Sequence, residues 1–173
     1  MGDPILTIRP YVDADTDAVM TIFRSAVRQT ARRDYSLEQV TAWAPDDADR
    51  AGWAQRSAAR GTWIATVGGT PAGFSDLGPD GYVDMLFVHP DFGGRGVARA
   101  LLAHVEGLAR ARGLALMYTD GSLTARPVFE RAGFLVIQAQ DVVKRGITFR
   151  NFRMEKRLPP PDEGALPAGG PAG

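Results

Sequence analysis

The chain contains no cysteine. That absence excludes disulfides, thiolate-held metals and a cysteine nucleophile. It also lacks net charge, since 20 Lys and Arg balance 20 Asp and Glu. No global field draws it toward nucleic acid or an anionic membrane, so any anion it binds must be held by a local site. Histidine is nearly absent, with only His89 and His104, and no metal site is expected. No uncharged apolar run approaches the roughly 20 residues that span a bilayer. Met1 to Pro10 has no basic stretch followed by an apolar one and does not read as a signal peptide. A soluble cytoplasmic protein is the expectation.

What is present predicts one packed domain: 173 residues, 45% apolar and 23% charged. Ile5 to Arg9 reads as a strand. Asp13 to Thr16 offers N-caps to a helix whose apolar positions run from Val19 to Val27. Ser36 and Gln39 fit a capping box for a helix that must stop near Pro45. A further short helix, Ala48 to Arg60, ends at Gly61. The period then changes. Thr62 to Val67 and Pro71 to Leu77 flank the hairpin signal Gly68-Gly69. Tyr82 to Val88 reads as a third, central strand. The strongest helix follows, with Val97, Leu101, Leu102, Val105 and Leu108 on one face and Gly113 as its stop. Leu114 to Thr119 is a strand, Asp120-Gly-Ser122 a loop, and Ala125 to Ala132 a short helix. Phe134 to Ala139 and Ile147 to Met154 close as an antiparallel pair around Lys144-Arg-Gly146. Residues 1–158 form the predicted domain. Residues 159–173, rich in Pro, Gly and Ala, read as a disordered tail.

This order predicts an α/β (α+β) fold. About seven strands form a mixed, mostly antiparallel twisted sheet flanked by about four helices. One parallel pair is expected, where the strand Tyr82–Val88 crosses over a helix to Leu114–Thr119.

The chemistry concentrates in Phe87-Val-His-Pro-Asp-Phe-Gly-Gly-Arg-Gly-Val-Ala-Arg-Ala-Leu-Leu102, a strand, a Gly-rich turn and a helix start. Gly93, Gly94 and Gly96 permit close approach of a ligand to the backbone. Unpaired N–H groups and the helix dipole at Val97 and Ala98 suit a phosphate, and Arg95 and Arg99 add formal charge. A Walker loop would need Gly-Lys-Ser/Thr at its end, which is missing. A dinucleotide fingerprint would need a third glycine where Arg99 stands.

On "VDMLFVHPDFGGRGVARALL" and "DGSLTARPVFERAGF" the chain resembles the GNAT superfamily of N-acetyltransferases. The match runs from about Ile5 to Leu158. The resemblance implies acetyl-CoA as co-substrate and direct acetyl transfer to a primary amine of a small molecule or peptide. A catalytically degenerate acyl-CoA sensor is the alternative. The family's pyrophosphate loop, Gln/Arg-x-x-Gly-x-Gly/Ala, aligns with Gly93 to Ala98, so that Gly93 replaces the usual first residue. Leu86, Phe87 and Val88 correspond to the strand whose main chain holds the pantetheine arm, with the Val88 N–H polarising the thioester carbonyl. The family often has a proton-donating tyrosine about four residues before the Gly-Phe pair. Here that position is Phe129, which cannot donate a proton.

Substitutes are few. Ser122 is either a contact to the pantetheine or sulfur or a turn hydroxyl before Ala125. Tyr118 shares a strand face with Asp120 and Ser122 if the strand stays extended, as a packed aromatic or a donor. Asp84 is the candidate base, because burial in an apolar strand would raise its pKa; otherwise it faces solvent or pairs with an arginine. Trp43, at a helix end, is a candidate wall of the acceptor pocket. Arg24, Arg28, Arg32 and Arg33 read as a solvated face. The chain is expected to be a monomer or a homodimer.

Overall fold

The computed structural model describes residues 4–160, and the expected tail lies outside the described residues from position 161 onward. Four strands, β1 (Leu6–Pro10), β2 (Trp63–Val67), β3 (Thr70–Ser75) and β4 (Leu86–Val88), form an antiparallel sheet in chain order. A second antiparallel sheet has the order β5 (Leu116–Ser122), β7 (Ile147–Arg157), β6 (Leu135–Lys144). The helices are α1 (Thr16–Ser25), α2 (Leu37–Trp43), α3 (Arg50–Ala59), α4 (Val97–Ala111) and α5 (Arg126–Arg131). No helix among the described residues is long and apolar enough to cross a membrane.

Strand β2 is buried on both faces, which is why it reads as a nearly continuous apolar run. Its Ile64 packs with Phe74 against Val19 and Ile22 of α1 and Trp53 of α3. Its Ala65 faces Val97 and Leu101 of α4. Farther along α4, Leu102, Val105 and Ala109 pack with Val83 and Met117, so this one helix underlies both sheets. Each such aliphatic side chain contributes about 2 kcal/mol of burial.

The predicted capping box is present. Ser36 Oγ accepts from the Gln39 N–H at 3.1 Å, and Gln39 Oε1 accepts from the Ser36 N–H at 2.8 Å. After Ser25 the chain widens to a π turn over 26–30 and tightens to a 3₁₀ turn over 31–33. The arginines here are not simply a solvated face. Arg28 Nε donates to the Ala44 carbonyl at 2.9 Å and Arg32 Nη1 to the Tyr35 carbonyl at 3.0 Å. They satisfy carbonyls at the two ends of α2, outside its internal hydrogen bonding.

Two predicted strands have different bounds. Tyr82 to Val88 is not continuous: only Leu86–Val88 pairs with β3, and Tyr82 makes a single parallel bridge to Tyr118. At the bridge the Val83 N–H donates to the Tyr118 carbonyl at 2.8 Å, and the Tyr118 N–H to the Gly81 carbonyl at 3.0 Å. The approach requires glycine at 81, because a Cβ there would meet the Leu116 carbonyl oxygen at 2.2 Å. Beyond the bridge the strands part, since Asp76 Oδ1 accepts from both the Asp84 N–H (2.9 Å) and the Met85 N–H (3.1 Å). That carboxylate bends the chain into the first sheet. Meanwhile β5 runs on through Asp120-Gly-Ser122, expected as a loop, because each of its residues pairs with β7. The final hairpin likewise runs beyond its predicted ends at Ala139 and Met154, with β6 continuing to Lys144 and β7 to Arg157.

Candidate active site

The divergence of β4 from β5 creates a wedge. Inside β4 the main chain alternates. The His89 N–H reaches the Ala72 carbonyl at 2.8 Å, and the Phe87 carbonyl lies against Gly73, so odd positions bond to β3. The N–H and C=O groups of Leu86 and Val88 therefore point to the open edge, toward β5.

That edge leads through His89, whose Nδ1 accepts from the Asp91 N–H at 3.2 Å and shapes the loop, into the Gly-rich turn. Gly94 and Gly96 have φ of 74° and 75°. Gly96 is the N-cap of α4, and a Cβ at either position would have open space around it. Gly93, Gly94, Arg95, Gly96 and Arg99 are exposed, Ala98 is half-buried, and Val97 anchors the helix start in the core. Among the described residues no acceptor meets the N–H groups from Gly94 to Arg99. The Arg95 guanidinium lies over the Phe92 ring at 5.5 Å, and neither Arg95 nor Arg99 pairs with a carboxylate among the described residues. Unpaired amides, a helix start and two free guanidiniums fit a pyrophosphate.

Next to the wedge lies a cavity of about 670 Å³. Leu86, Phe87, Ser122, Phe129, Trp43 and Asp84 all line it, so most of the predicted residues converge here. Trp43 packs edge-on to Phe87 and Phe149, each at 6.2 Å, as a wall. Phe129 is 2% exposed and packs edge-on to Phe134 at 5.1 Å, so it belongs to the core as well as to the cavity. Ser122 fits both of its readings. Its Oγ accepts from the Ala125 N–H at 3.0 Å, which leaves its own proton free to donate, and it borders the cavity.

Two expectations need correction. Asp84 is exposed rather than buried, because the chain has already left the strand there, and its carboxylate lies 3.5 Å from Arg60 Nη2. The alternation of β5 does set Tyr118, Asp120 and Ser122 on one face. However, the Tyr118 hydroxyl donates to Asp80, Arg153 covers its ring at 4.0 Å, and it does not border the cavity. The tyrosines at the cavity are Tyr35, whose hydroxyl donates to the Arg150 carbonyl at 2.7 Å, and Tyr82, which donates to Asp120 Oδ2 at 3.1 Å. Burial raises the Tyr82 pKa, with Asp84 and Asp120 adding to the effect.

The carboxylate buried beside Asp84 is Asp76, fully enclosed and bonded to Arg60 Nε at 2.7 Å. Burial pushes its pKa up despite the guanidinium beside it. No spacing in the chain marks Asp76, since its partners lie 16 residues before it and eight and nine after it. Asp76→Ala strands two buried amide donors. It is expected to cost about 3 kcal/mol, or about 10 °C in Tm. Asp76→Asn keeps an acceptor and should lose less. Equal thermal melts for wild type and Asp76→Ala would refute this role.

Residues 31–157 match the family model described as the acetyltransferase (GNAT) domain. The chain is 38% identical over 149 residues to the uncharacterized N-acetyltransferase YafP of Escherichia coli (strain K12), covering 86% of this chain and 94% of that protein. It superposes on the crystal structure of a GCN5-related N-acetyltransferase from Rhodopseudomonas palustris with a TM-score of 0.85 and 38% identity, covering 91% and 99% of the two chains. It also superposes on yncA of Salmonella typhimurium, an acetyltransferase structure with its cofactor acetyl-CoA, with a TM-score of 0.69 and 25% identity, covering 94% and 98%. The two sheets that part at one parallel bridge, the glycine-capped α4 and these likenesses lead to the same conclusion: the chain belongs to the GNAT acetyltransferase family.

Proposed function

We propose that the protein moves an acetyl group from acetyl-CoA directly to a primary amine of a small molecule or peptide. The observation that carries this reading is the open β4 edge, whose unpaired groups run on into the unpaired amides of the α4 start. Leu86 and Val88 would hold the pantetheine arm, and Gly94 to Arg99 the pyrophosphate, with Gly93 leaving the backbone exposed where the family loop has a longer side chain.

Acetyl-CoA supplies a thioester that is electrophilic at its carbonyl carbon. The Val88 N–H donates to the carbonyl oxygen as negative charge gathers there. Asp84, exposed at the cavity, takes one proton from the acceptor ammonium, whose pKa is about 10, and passes it to solvent. The nitrogen forms the C–N bond as the C–S bond breaks. Ser122 gives its hydroxyl proton to the departing sulfur and recovers one from the nitrogen through water. One proton is released overall, with an amide and a thiol as products.

Ser122→Ala is expected to lower kcat about 100-fold with little change in the KM for acetyl-CoA. It also removes the hydroxyl before α5, costing about 1 kcal/mol. Adding Phe129→Tyr should recover part of kcat by restoring a hydroxyl at the cavity, which a purely structural Ser122 would not allow. An unchanged kcat in Ser122→Ala would reduce Ser122 to its turn-closing role.

Phe129 itself supports the second reading, a sensor that binds acyl-CoA without turnover. Thiol release separates the two against no background, since the protein has no thiol of its own. Acetyl-CoA binding by calorimetry with no release across a broad amine panel would favour the sensor.

A further inference from the structure

The cavity walls are aromatic. Phe23 stands 4.9 Å from both Trp53 and Phe87, and Trp43 continues the row to Phe149. Cations surround this row from three elements: Arg24 at the end of α1, Arg56 on α3, and Lys144 and Arg145 at the β6–β7 turn. Two of them lie over the walls, Arg56 at 5.0 Å above Trp53 and Lys144 at 5.7 Å above Trp43.

Four carboxylates, Asp47, Asp49, Asp84 and Asp120, also border the cavity, and three of them are engaged by other groups. Asp49 is taken up by the Ala51 and Gly52 amides at the start of α3, and Asp84 by Arg60. Asp120 accepts from Tyr82 and from Gln140. None of the four cations pairs with a carboxylate among the described residues, so each remains available to an anionic group of a ligand. The turn geometry adds a separate point. Lys144 pairs with Ile147 across a two-residue turn, and Arg145 holds φ of 51°, the one non-glycine positive φ among the described residues. Asparagine or glycine is favoured at such a position, yet a cation is placed there at the cavity.

We propose that the acceptor amine carries an anionic group, a carboxylate or its equivalent, on an apolar or aromatic body. The body lies along the Trp43–Phe87–Trp53 row, the anion meets the cation collar, and the amine faces Asp84 and Asp120. This rests on the acetyl-transfer reading of the same cavity.

The test uses matched amines that differ by one carboxylate: L-phenylalanine against phenylethylamine, and aminomethylbenzoate against benzylamine. With the full chain and acetyl-CoA, the acid of each pair is expected to show kcat/KM about tenfold or more above its neutral partner. The advantage should shrink as salt screens the collar. In Arg56→Gln/Lys144→Gln, where both side chains are exposed and the fold should persist, the pair members should converge. Neutral amines that match or exceed the acids would overturn the proposal. Calorimetry of the same pairs on the CoA-loaded protein keeps the two readings apart. Preferential binding of the acids without thiol release would support the collar and sink the transfer reading. Equal binding would refute the collar whatever the turnover.

Discussion

Gly96→Glu is expected to abolish coenzyme A binding, with Kd rising at least about 1,000-fold, while the protein stays folded. Position 96 caps α4 in the left-handed conformation, where a non-glycine residue costs about 1–2 kcal/mol. A Cβ there meets nothing within 4 Å, so no steric clash adds to that cost. The loss of binding comes from elsewhere. The glutamate side chain occupies the space where the amides of residues 94–99 converge, and its carboxylate satisfies them in place of a pyrophosphate. The same helix provides the control. Gly113 follows its last turn with φ of 70° and equally open surroundings. Gly113→Glu should therefore carry the same backbone cost and leave CoA affinity intact. Calorimetry with CoA on the two variants decides the matter, and equal affinities would remove the cradle from the binding site.

Asp84→Asn should lower kcat/KM at pH 7 by about 100-fold to 10,000-fold. CoA affinity should stay the same, because the carboxylate lies at the cavity and not at the α4 start. The pH dependence carries the sign of the argument. Without a base, only acceptor already deprotonated in solution can react. The variant's rate should then climb about tenfold per pH unit until the ammonium pKa, near 10, is reached. The deficit against wild type narrows over that range. Stability should change by less than about 1 kcal/mol, since Asp84 is a partly exposed partner of Arg60 at 3.5 Å and Arg60 keeps its bond to Asp76. A variant profile that parallels wild type would move the proton to Asp120 or to a water chain.

Most elements were legible in the chain because their signals are local. The Ser36–Gln39 capping box, the Gly68-Gly69 hairpin and the α4 stripe each need only neighbouring residues, and all three are in place. Errors clustered where long-range bonds override local preference. Tyr82 to Val88 is as apolar as a strand, but Asp76 captures two of its amides from a different strand and breaks it. Asp120-Gly-Ser122 has loop composition, but β7 supplies partners that keep it extended. The arginines after α1 read as solvated because the carbonyls they bond, at the two ends of α2, are brought to them only by the fold.

The same division runs through the site. The Val88–Ala98 segment is contiguous, and the glycines and helix start on which the proposed phosphate site rests can be read without the rest of the chain. That Asp76 is buried and Asp84 is not, and that Tyr82 reaches the cavity and Tyr118 does not, depend on the parting of β4 from β5 at one bridge. The sequence by itself determined the family and the glycine-capped start of α4, because both rest on local signals. Only the tertiary structure decided the charged groups and walls of the cavity beside it, because α1, α3 and the β6–β7 turn meet there across more than 100 residues of chain.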